Sequence, residues 1–258
     1  MSKYATTEIT SAEIPSDNPV HQRLYFPYEE AAKIISGRVL ELGCGWGRGV
    51  EKLIQSCDHF TGLDKNEPLI KALQEKYPDH YFNTVDLPYL NEFADNSFDF
   101  VVTFQVIEHI QDDHKFLQEA WRVLKPGGKI LLTTVNKDYS LSRNPWHVRE
   151  YRTEELKSLM KKYFSSLDAK GVGGNDKVWA YYEQNKASVH RIMRWDIFDL
   201  QHRLPAWMLR IPYEILNRFN RNQLLAEPGS LAAEINWDDH YLSDEPEKCI
   251  DYFFVGTK

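Results

Sequence analysis

Short apolar runs alternate with segments of helical periodicity through roughly the first 135 residues. The apolar runs predict strands at residues 38–42, 59–64, 80–85, 98–104 and 129–135, and the periodic segments predict helices at 28–36, 47–56, 67–77 and 113–124. These strands are too apolar to leave one face in water, so they belong in a parallel sheet that helices cover on both sides. The pattern therefore predicts an α/β fold with a doubly wound sheet.

The pattern changes after Asn136. A helix is predicted at residues 153–163 with Thr153 as its cap, followed by a strand at 164–169 and a flexible turn at 171–175. Residues 179–225 predict two or three amphipathic helices, broken at Pro205 and Pro212, and residues 249–256 predict a terminal strand. Because a strand follows the helices, the helices interrupt one domain rather than form a second.

We therefore expect a seven-stranded, mostly parallel sheet with an antiparallel last strand and a helical insertion before it. The expected boundaries are a leader and helix at 1–36, the main domain at 37–175 and 246–258, and a helical cap at 176–245.

The strongest local signal is the glycine-rich segment VLELGCGWGRG at residues 39–49. A strand that ends at a glycine turn before a helix lets a ligand approach main-chain N–H groups at the carboxyl edge of the sheet. The dinucleotide pattern would place its third glycine at Arg48 or Val50, so neither register fits, and no P-loop Lys follows. The remaining readings are a different nucleotide-like ligand or a tight turn with no ligand.

Composition narrows the class of protein. The 258 residues carry a formal net charge of −7, which disfavours nucleic acid as a partner. Cys44, Cys57 and Cys249 form no disulfide framework, which fits a reducing compartment. The first residues lack a secretory pattern, and no apolar stretch reaches the ~20 residues of a membrane span. We expect a cytoplasmic protein.

Five segments together resemble the class I S-adenosylmethionine-dependent methyltransferase family. They are VLELGCGWG, FTGLD, TVDL, SFDFVVTFQVIEHI and LKPGGKILLTTVN, and the resemblance covers about residues 21–136. It implies a Rossmann-like methyltransferase fold, S-adenosylmethionine as cofactor and S-adenosylhomocysteine as product. The segment RNPWHVREY at residues 143–151 resembles a loop in members from glycan and cell-surface biosynthesis.

The resemblance also implies cofactor-binding residues. Glu41 and the loop residues Gly43, Cys44, Gly45 and Gly47 would hold the methionine part, and Asp64 would accept hydrogen bonds from the ribose hydroxyls. Leu63 or Lys65 would lie against the adenine, whereas Asp86 and Leu87 would hold its edge. Gln105 and Val106 would line the floor near the sulfonium. Tyr25 lies in a leading segment that either closes over the cofactor or packs under the first helix.

Catalytic candidates follow the fourth and fifth strands. A hydroxyl acceptor usually needs a base, and a neutral histidine suits that role near pH 7. The candidates for this base are Glu108, His109, His147 and Glu150, and we predict His147 or His109, with a structural role for Glu108. The alternative for His147 is a structural bond from its loop to Glu150 or to the helix cap. Some relatives bind magnesium through Glu-x-x-Glu-His, but Gln105 replaces the first carboxylate here, so we predict no metal.

The predicted acceptor is a small molecule or a glycan, methylated on oxygen. Methylation on nitrogen and a catalytically silent cofactor-binding protein are the alternatives. The predicted cap at 179–225 interleaves basic and large apolar residues, which suits an acceptor pocket, peripheral membrane contact or simple packing. The chain is expected to be a monomer or a homodimer.

Overall fold

The computed structural model describes residue 10 and residues 13–196 and 198–258. Its strands form one mixed sheet in the order β3-β2-β1-β4-β5-β8-β6-β7. The strands are β1 Arg38–Leu42, β2 His59–Asp64, β3 Tyr81–Thr84, β4 Phe98–Phe104, β5 Leu124–Val135, β6 Ser166–Gly174, β7 His240–Ser243 and β8 Asp251–Thr257. The helices are α1 Asn18–Ala32, α2 Val50–Ile54, α3 Glu67–Lys76, α4 Asp113–Val123, α5 Thr153–Met160, α6 Asp176–Met193, α7 Leu200–Arg203 and α8 Ala206–Ala226.

The sheet confirms the predicted doubly wound α/β fold. Strands β1 to β5 pair in parallel, and β8 runs antiparallel between β5 and β6. Strand β1 is buried on both faces: Val39 packs with helices α1 to α3, and Leu40 packs with α4 on the other side. The order reverses between β1 and β4, so the carboxyl ends of these two strands form the crevice where ligands bind in such sheets.

The described residues contain eight strands, one more than predicted. Strand β7 pairs antiparallel with β6 at the edge of the sheet and lies within the range 176–245 that was predicted as helical cap. Strand β6 also continues to Gly174, through the segment predicted as a flexible turn. Both errors arise because glycines and polar residues give these two segments little hydrophobic signal.

Two helical predictions are also corrected. Helix α1 begins at Asn18 rather than Tyr28, with Pro19 in its first turn, where a missing N–H costs nothing. Of the predicted leader, residues 1–9, 11 and 12 lie outside the described residues. Pro212 lies inside α8 and does not end it. No described helix has both the length and the apolar character to cross a bilayer.

Candidate active site

The glycine loop leaves β1 through three left-handed residues, Gly43, Gly45 and Gly47, with φ values of 81°, 54° and 84°. A Cβ on Gly43 would collide with Val106, and a Cβ on Gly47 would collide with Leu73, so packing requires these two glycines. Among the described residues, a Cβ on Gly45 would meet no atom within 4 Å. The main chain at Gly45 is therefore open to a ligand.

Glu41 is the charged group beneath this loop. Its side chain is buried, and Oε1 accepts a hydrogen bond of 2.7 Å from the Tyr28 hydroxyl. Its Oε2 has no hydrogen-bond partner among the described residues. Burial, with a smaller effect of nearby Asp64, raises the pKa of Glu41 to about 7. A buried carboxylate oxygen that receives no hydrogen bond from the described residues can accept one from the ammonium group of a ligand.

Asp64 ends β2 beside the loop. Its Oδ2 accepts a hydrogen bond of 2.9 Å from Gly45 N, and its Oδ1 accepts one of 2.8 Å from Asn66 N. Each carboxylate oxygen can accept more than one hydrogen bond, so Asp64 can brace the loop and still accept hydrogen bonds from a cis-diol.

The residues predicted at the adenine end lie beyond the ends of β2 and β3. Asp86 and Lys65 are exposed, whereas Leu87 is half-buried against the main core. Leu63 has no exposed surface, which leaves Lys65 as the candidate of that pair to contact a ligand.

Helix α1 runs over the glycine loop. His21 stacks on Trp46 with ring centroids 6.0 Å apart, and its Nδ1 lies 2.5 Å from Arg48 Nη1. Tyr25, one turn further along, is half-buried with its ring centroid 6.3 Å from that of Tyr28. Burial and a hydrogen bond with Glu29 raise the pKa of Tyr25 to about 12, so it stays neutral. The leading segment therefore contacts the loop directly.

A cavity of 240 Å³, which we call the inner cavity, lies at the ends of β4 and β5. Gln105, which has a left-handed backbone at φ 57°, forms part of its wall. Glu108, His109 and His147 line the same cavity. The structure therefore brings the predicted catalytic residues together beside Gln105.

Glu108 joins this wall to the neighbouring segments. Its buried carboxylate accepts a hydrogen bond of 2.8 Å from Thr134 Oγ1, and its main-chain oxygen accepts one of 2.7 Å from Val148 N. Its Oε1 has no hydrogen-bond partner among the described residues. These bonds fix Glu108 in place and leave it one acceptor atom for a ligand.

The two histidines contact each other edge to face, with ring centroids 4.9 Å apart. His147 Nδ1 lies 2.7 Å from Glu150 Oε1, and its Nε2 lies 2.8 Å from Asn144 Nδ2. His109 Nδ1 lies 3.0 Å from the Trp146 carbonyl oxygen. A carbonyl can only accept, so Nδ1 of His109 carries a hydrogen, and in the neutral ring Nε2 then carries the lone pair.

Asp251 is a further charged group of the inner cavity. It begins β8, is buried, and lies 3.2 Å from Arg23 Nε through its Oδ2. Burial raises the pKa of Asp251 to about 6, against the opposing effect of Arg23. Its Oδ1 has no hydrogen-bond partner among the described residues.

One group of side chains has the spacing of a metal site. The candidate ligand atoms of Glu108, His109 and His147 all lie within 4.8 Å of one another. Glu150 and Asn144 flank the two ring nitrogens of His147, so metal binding would have to displace one of them. The absence of a functional metal stays a prediction.

Comparison with known proteins gives a family match for the glycine loop and the strands around it. Residues 40–132 match the family model described as a methyltransferase domain. The matched residues contain Glu41, the glycine loop, Asp64, Asp86 and the strand that leads to Gln105.

Two similar proteins are named as methyltransferases. Over 165 residues the chain is 36% identical to a probable S-adenosylmethionine-dependent methyltransferase of Mycolicibacterium smegmatis, covering 60% of this chain and 63% of the relative. Over 151 residues it is 32% identical to phosphoethanolamine N-methyltransferase 2 of Caenorhabditis elegans, covering 51% and 34%. The chain thus spans less than two thirds of the length of these relatives.

The fold is that of S-adenosylmethionine-dependent methyltransferases. A solved example from Thermotoga maritima superposes with a TM-score of 0.59 at 18% identity, covering 93% of this chain and 91% of that one.

The sequence analysis did not predict Asp251 or its partner Arg23 as site residues. The pattern CIDYFFVG indicates a strand, and the only signal for Asp251 is an acid within an apolar run. A charge at such a position is buried unless the strand is at an edge, and buried charges mark functional or paired sites.

Proposed function

We propose that the protein is an S-adenosylmethionine-dependent methyltransferase that methylates a hydroxyl group of a small molecule or a glycan. The observation that carries the proposal is the main chain at Gly45, which lies between the carboxylates of Glu41 and Asp64. Among the described residues nothing covers Gly45 and nothing donates to Glu41 Oε2. S-adenosylmethionine has an ammonium group and a ribose diol, which these two acids suit.

The residues present fit this cofactor along the crevice. Glu41 would bind the ammonium, Gly43, Cys44, Gly45 and Gly47 would supply the close main-chain contact, and Asp64 would accept from the ribose. Asp86, Leu87 and Lys65 would surround the adenine. Tyr25 would cover the methionine end, and Gln105 would lie beside the transferable methyl group. The bound cofactor supplies an activated methyl group, so most of the protein's work is to hold donor and acceptor in line.

The inner cavity would hold the acceptor. Nε2 of His109 has the lone pair that can take the hydroxyl proton, while its Nδ1–H stays on the Trp146 carbonyl oxygen. His147 would hold the ring of His109 by edge-to-face contact. Glu150 and Asn144 lie against the two ring nitrogens of His147, so a base role for His147 would require one of these contacts to break.

Nitrogen methylation is the second candidate. Glu108 and Asp251 each line the inner cavity and each have a carboxylate oxygen without a partner among the described residues. Two buried acids of this kind suit a cationic amine, and one similar relative is named a phosphoethanolamine N-methyltransferase. A silent cofactor-binding protein would share the crevice but would turn over no acceptor.

Calorimetry with S-adenosylhomocysteine and NAD tests the cofactor assignment. Saturable binding of S-adenosylhomocysteine with no comparable binding of NAD supports the proposal, and tighter binding of NAD overturns it. Radiolabelled methyl transfer to a panel of alcohols and amines then separates the candidates. Transfer to alcohols alone supports hydroxyl methylation, transfer to amines alone supports the second candidate, and no transfer favours a silent protein.

A further inference from the structure

Helix α8 has its polar side against the protein and its apolar side in solvent. Trp207, Ile211, Ile215 and Phe219 form one i, i+4 stripe, and each is at least 60% exposed. We call this stripe the outer face of α8. Helices of globular proteins normally bury such a stripe, and large exposed apolar patches mark interaction sites.

Polar contacts fix the opposite side of α8 to the protein. Arg218 and Arg221 lie 2.7 and 3.0 Å from the buried carboxylate of Asp17, and the amide of buried Asn220 donates to Asn185 Oδ1 at 2.7 Å. The orientation of α8 is therefore specified by buried charge, and its outer face is left for a partner.

A second cavity lies between α6, α7 and α8, which we call the outer cavity. Its volume is 610 Å³, within the ~300–1,000 Å³ of small-molecule sites, and its walls are mostly apolar, with Ile192, Leu204 and Leu209 among them. Tyr213 and Asn217 line both the outer and the inner cavity, so the two cavities are neighbours with a shared wall. A cavity rich in charged groups thus adjoins an apolar one along these residues.

The charge of this region differs from that of the whole chain. Residues 186–226 carry seven Lys and Arg but three Asp and Glu, in a chain whose net charge is −7. Arg191, Arg194, Arg203 and Arg210 are exposed. An amphipathic helix with Trp and Phe on one side and arginines near it is typical of binding in the interface of an anionic bilayer.

We propose that the acceptor is an amphiphilic lipid taken from an anionic membrane, with its polar head in the inner cavity and its hydrocarbon chain in the outer cavity. The outer face of α8 rests on the bilayer and brings the mouth of the outer cavity to the lipid. This inference rests on the proposed function, because it names the substrate class of the same site.

Co-sedimentation of the full chain with vesicles tests the membrane contact. Phosphatidylcholine vesicles that contain phosphatidylglycerol should bind more protein than phosphatidylcholine alone. The triple variant Trp207→Ser, Ile211→Ser and Ile215→Ser should partition at least about tenfold less, because it removes most of the apolar stripe. Tyr241→Ser, at another exposed aromatic, is the matched control and should partition like the wild type.

A fluorescent amphiphile, 11-(dansylamino)undecanoic acid, tests the outer cavity. Leu209→Trp fills part of that cavity, so the dissociation constant of the probe should rise at least about fivefold. S-adenosylhomocysteine affinity, measured by calorimetry on the same variant, should not change.

Two outcomes overturn the inference. One is the absence of vesicle and probe binding in a wild type that binds S-adenosylhomocysteine, which would leave the proposed function intact. The other is a dimer in sedimentation velocity that the triple serine variant dissolves, with no vesicle binding, because a second copy would then cover the outer face. Failure to bind S-adenosylhomocysteine would contradict the proposed function itself.

Discussion

At the scale of single residues, the site depends on acids whose roles are only partly visible in the sequence. The position of Asp64 at the end of a strand predicts contact with a ligand, but the structure shows that it also braces the glycine loop through Gly45 N and Asn66 N. Glu41 is predicted as a ligand contact, but its burial and its bond to Tyr28 depend on how α1 packs against β1.

Replacement of Asp64 should separate its two roles. Asp64→Ala removes the ribose acceptor and both braces, so S-adenosylhomocysteine affinity should fall at least about tenfold, since hydrogen bonds to charged groups contribute ~1.5–3 kcal/mol each. Asp64→Asn keeps one acceptor oxygen and should lose less. Calorimetry measures both affinities. The control is Asp58→Ala, because Asp58 is exposed and lies just before the start of β2, at the opposite end of the strand from Asp64. Equal affinities for Asp64→Ala and wild type would contradict any cofactor contact.

Glu41 should make cofactor binding depend on pH. Its pKa is about 7, and an ammonium ligand needs the ionised carboxylate, so affinity should fall as pH drops below 7. Between pH 8 and pH 6 the dissociation constant of S-adenosylhomocysteine should rise about tenfold, because protonation of Glu41 competes with binding. Glu41→Gln should bind weakly and show a flat profile. A flat profile in the wild type would place the ammonium elsewhere.

At the scale of elements, periodicity predicts the buried strands well. The bounds of β1, β2 and β4 are those predicted, because apolar runs in a parallel sheet have a strong and local signal. Strand β7, the end of β6 and the start of α1 were missed, since their stability comes from pairing with distant segments. Asp251 was missed for the same reason: only the position of β8 beside β5 brings it to the inner cavity.

The turn that holds His109 and the loop 143–151 behave as one element, joined through Trp146 O and Val148 N. His109→Gln should lower turnover by about 10²–10⁴-fold if His109 is the base, with part of the loss recovered at high pH, where the acceptor ionises more readily. His147→Ala should lower turnover less. Steady-state kinetics on the acceptor found by screening, with S-adenosylhomocysteine affinity as the folding control, measure both. Normal turnover in His109→Gln would show that His109 is not the base. The base would then be His147, or the protein would act only by holding donor and acceptor close together.

At the scale of the molecule, buried charge joins the cap to the rest of the protein. Asp17 has no exposed side-chain surface and pairs with Arg218 and Arg221 across more than 200 residues of sequence. The segment 179–225 was predicted as helical, but nothing in its pattern indicates which of its faces would contact the domain.

Asp17→Asn should therefore destabilise the fold more than a surface change does. It removes the buried negative charge that Arg218 and Arg221 share, and the free energy of unfolding should fall by about 1.5–3 kcal/mol. Urea denaturation measures it. Asp244→Asn is the control, because Asp244 pairs with Lys170 at an 88% exposed position and such pairs contribute about 0–1 kcal/mol. Similar losses in both variants would show that the Asp17 cluster does not hold the cap.

Helix α1 is a common wall of the crevice and the cap. Tyr28 on it holds Glu41, Arg23 on it meets Asp251, and Asn18 at its start donates to the main-chain oxygens of Ala232 and Ile235. A shift of this helix when one site fills would alter the other site, and the two binding equilibria would then be linked. Linkage is reciprocal: the factor by which S-adenosylhomocysteine changes the acceptor's dissociation constant equals the factor by which the acceptor changes that of S-adenosylhomocysteine.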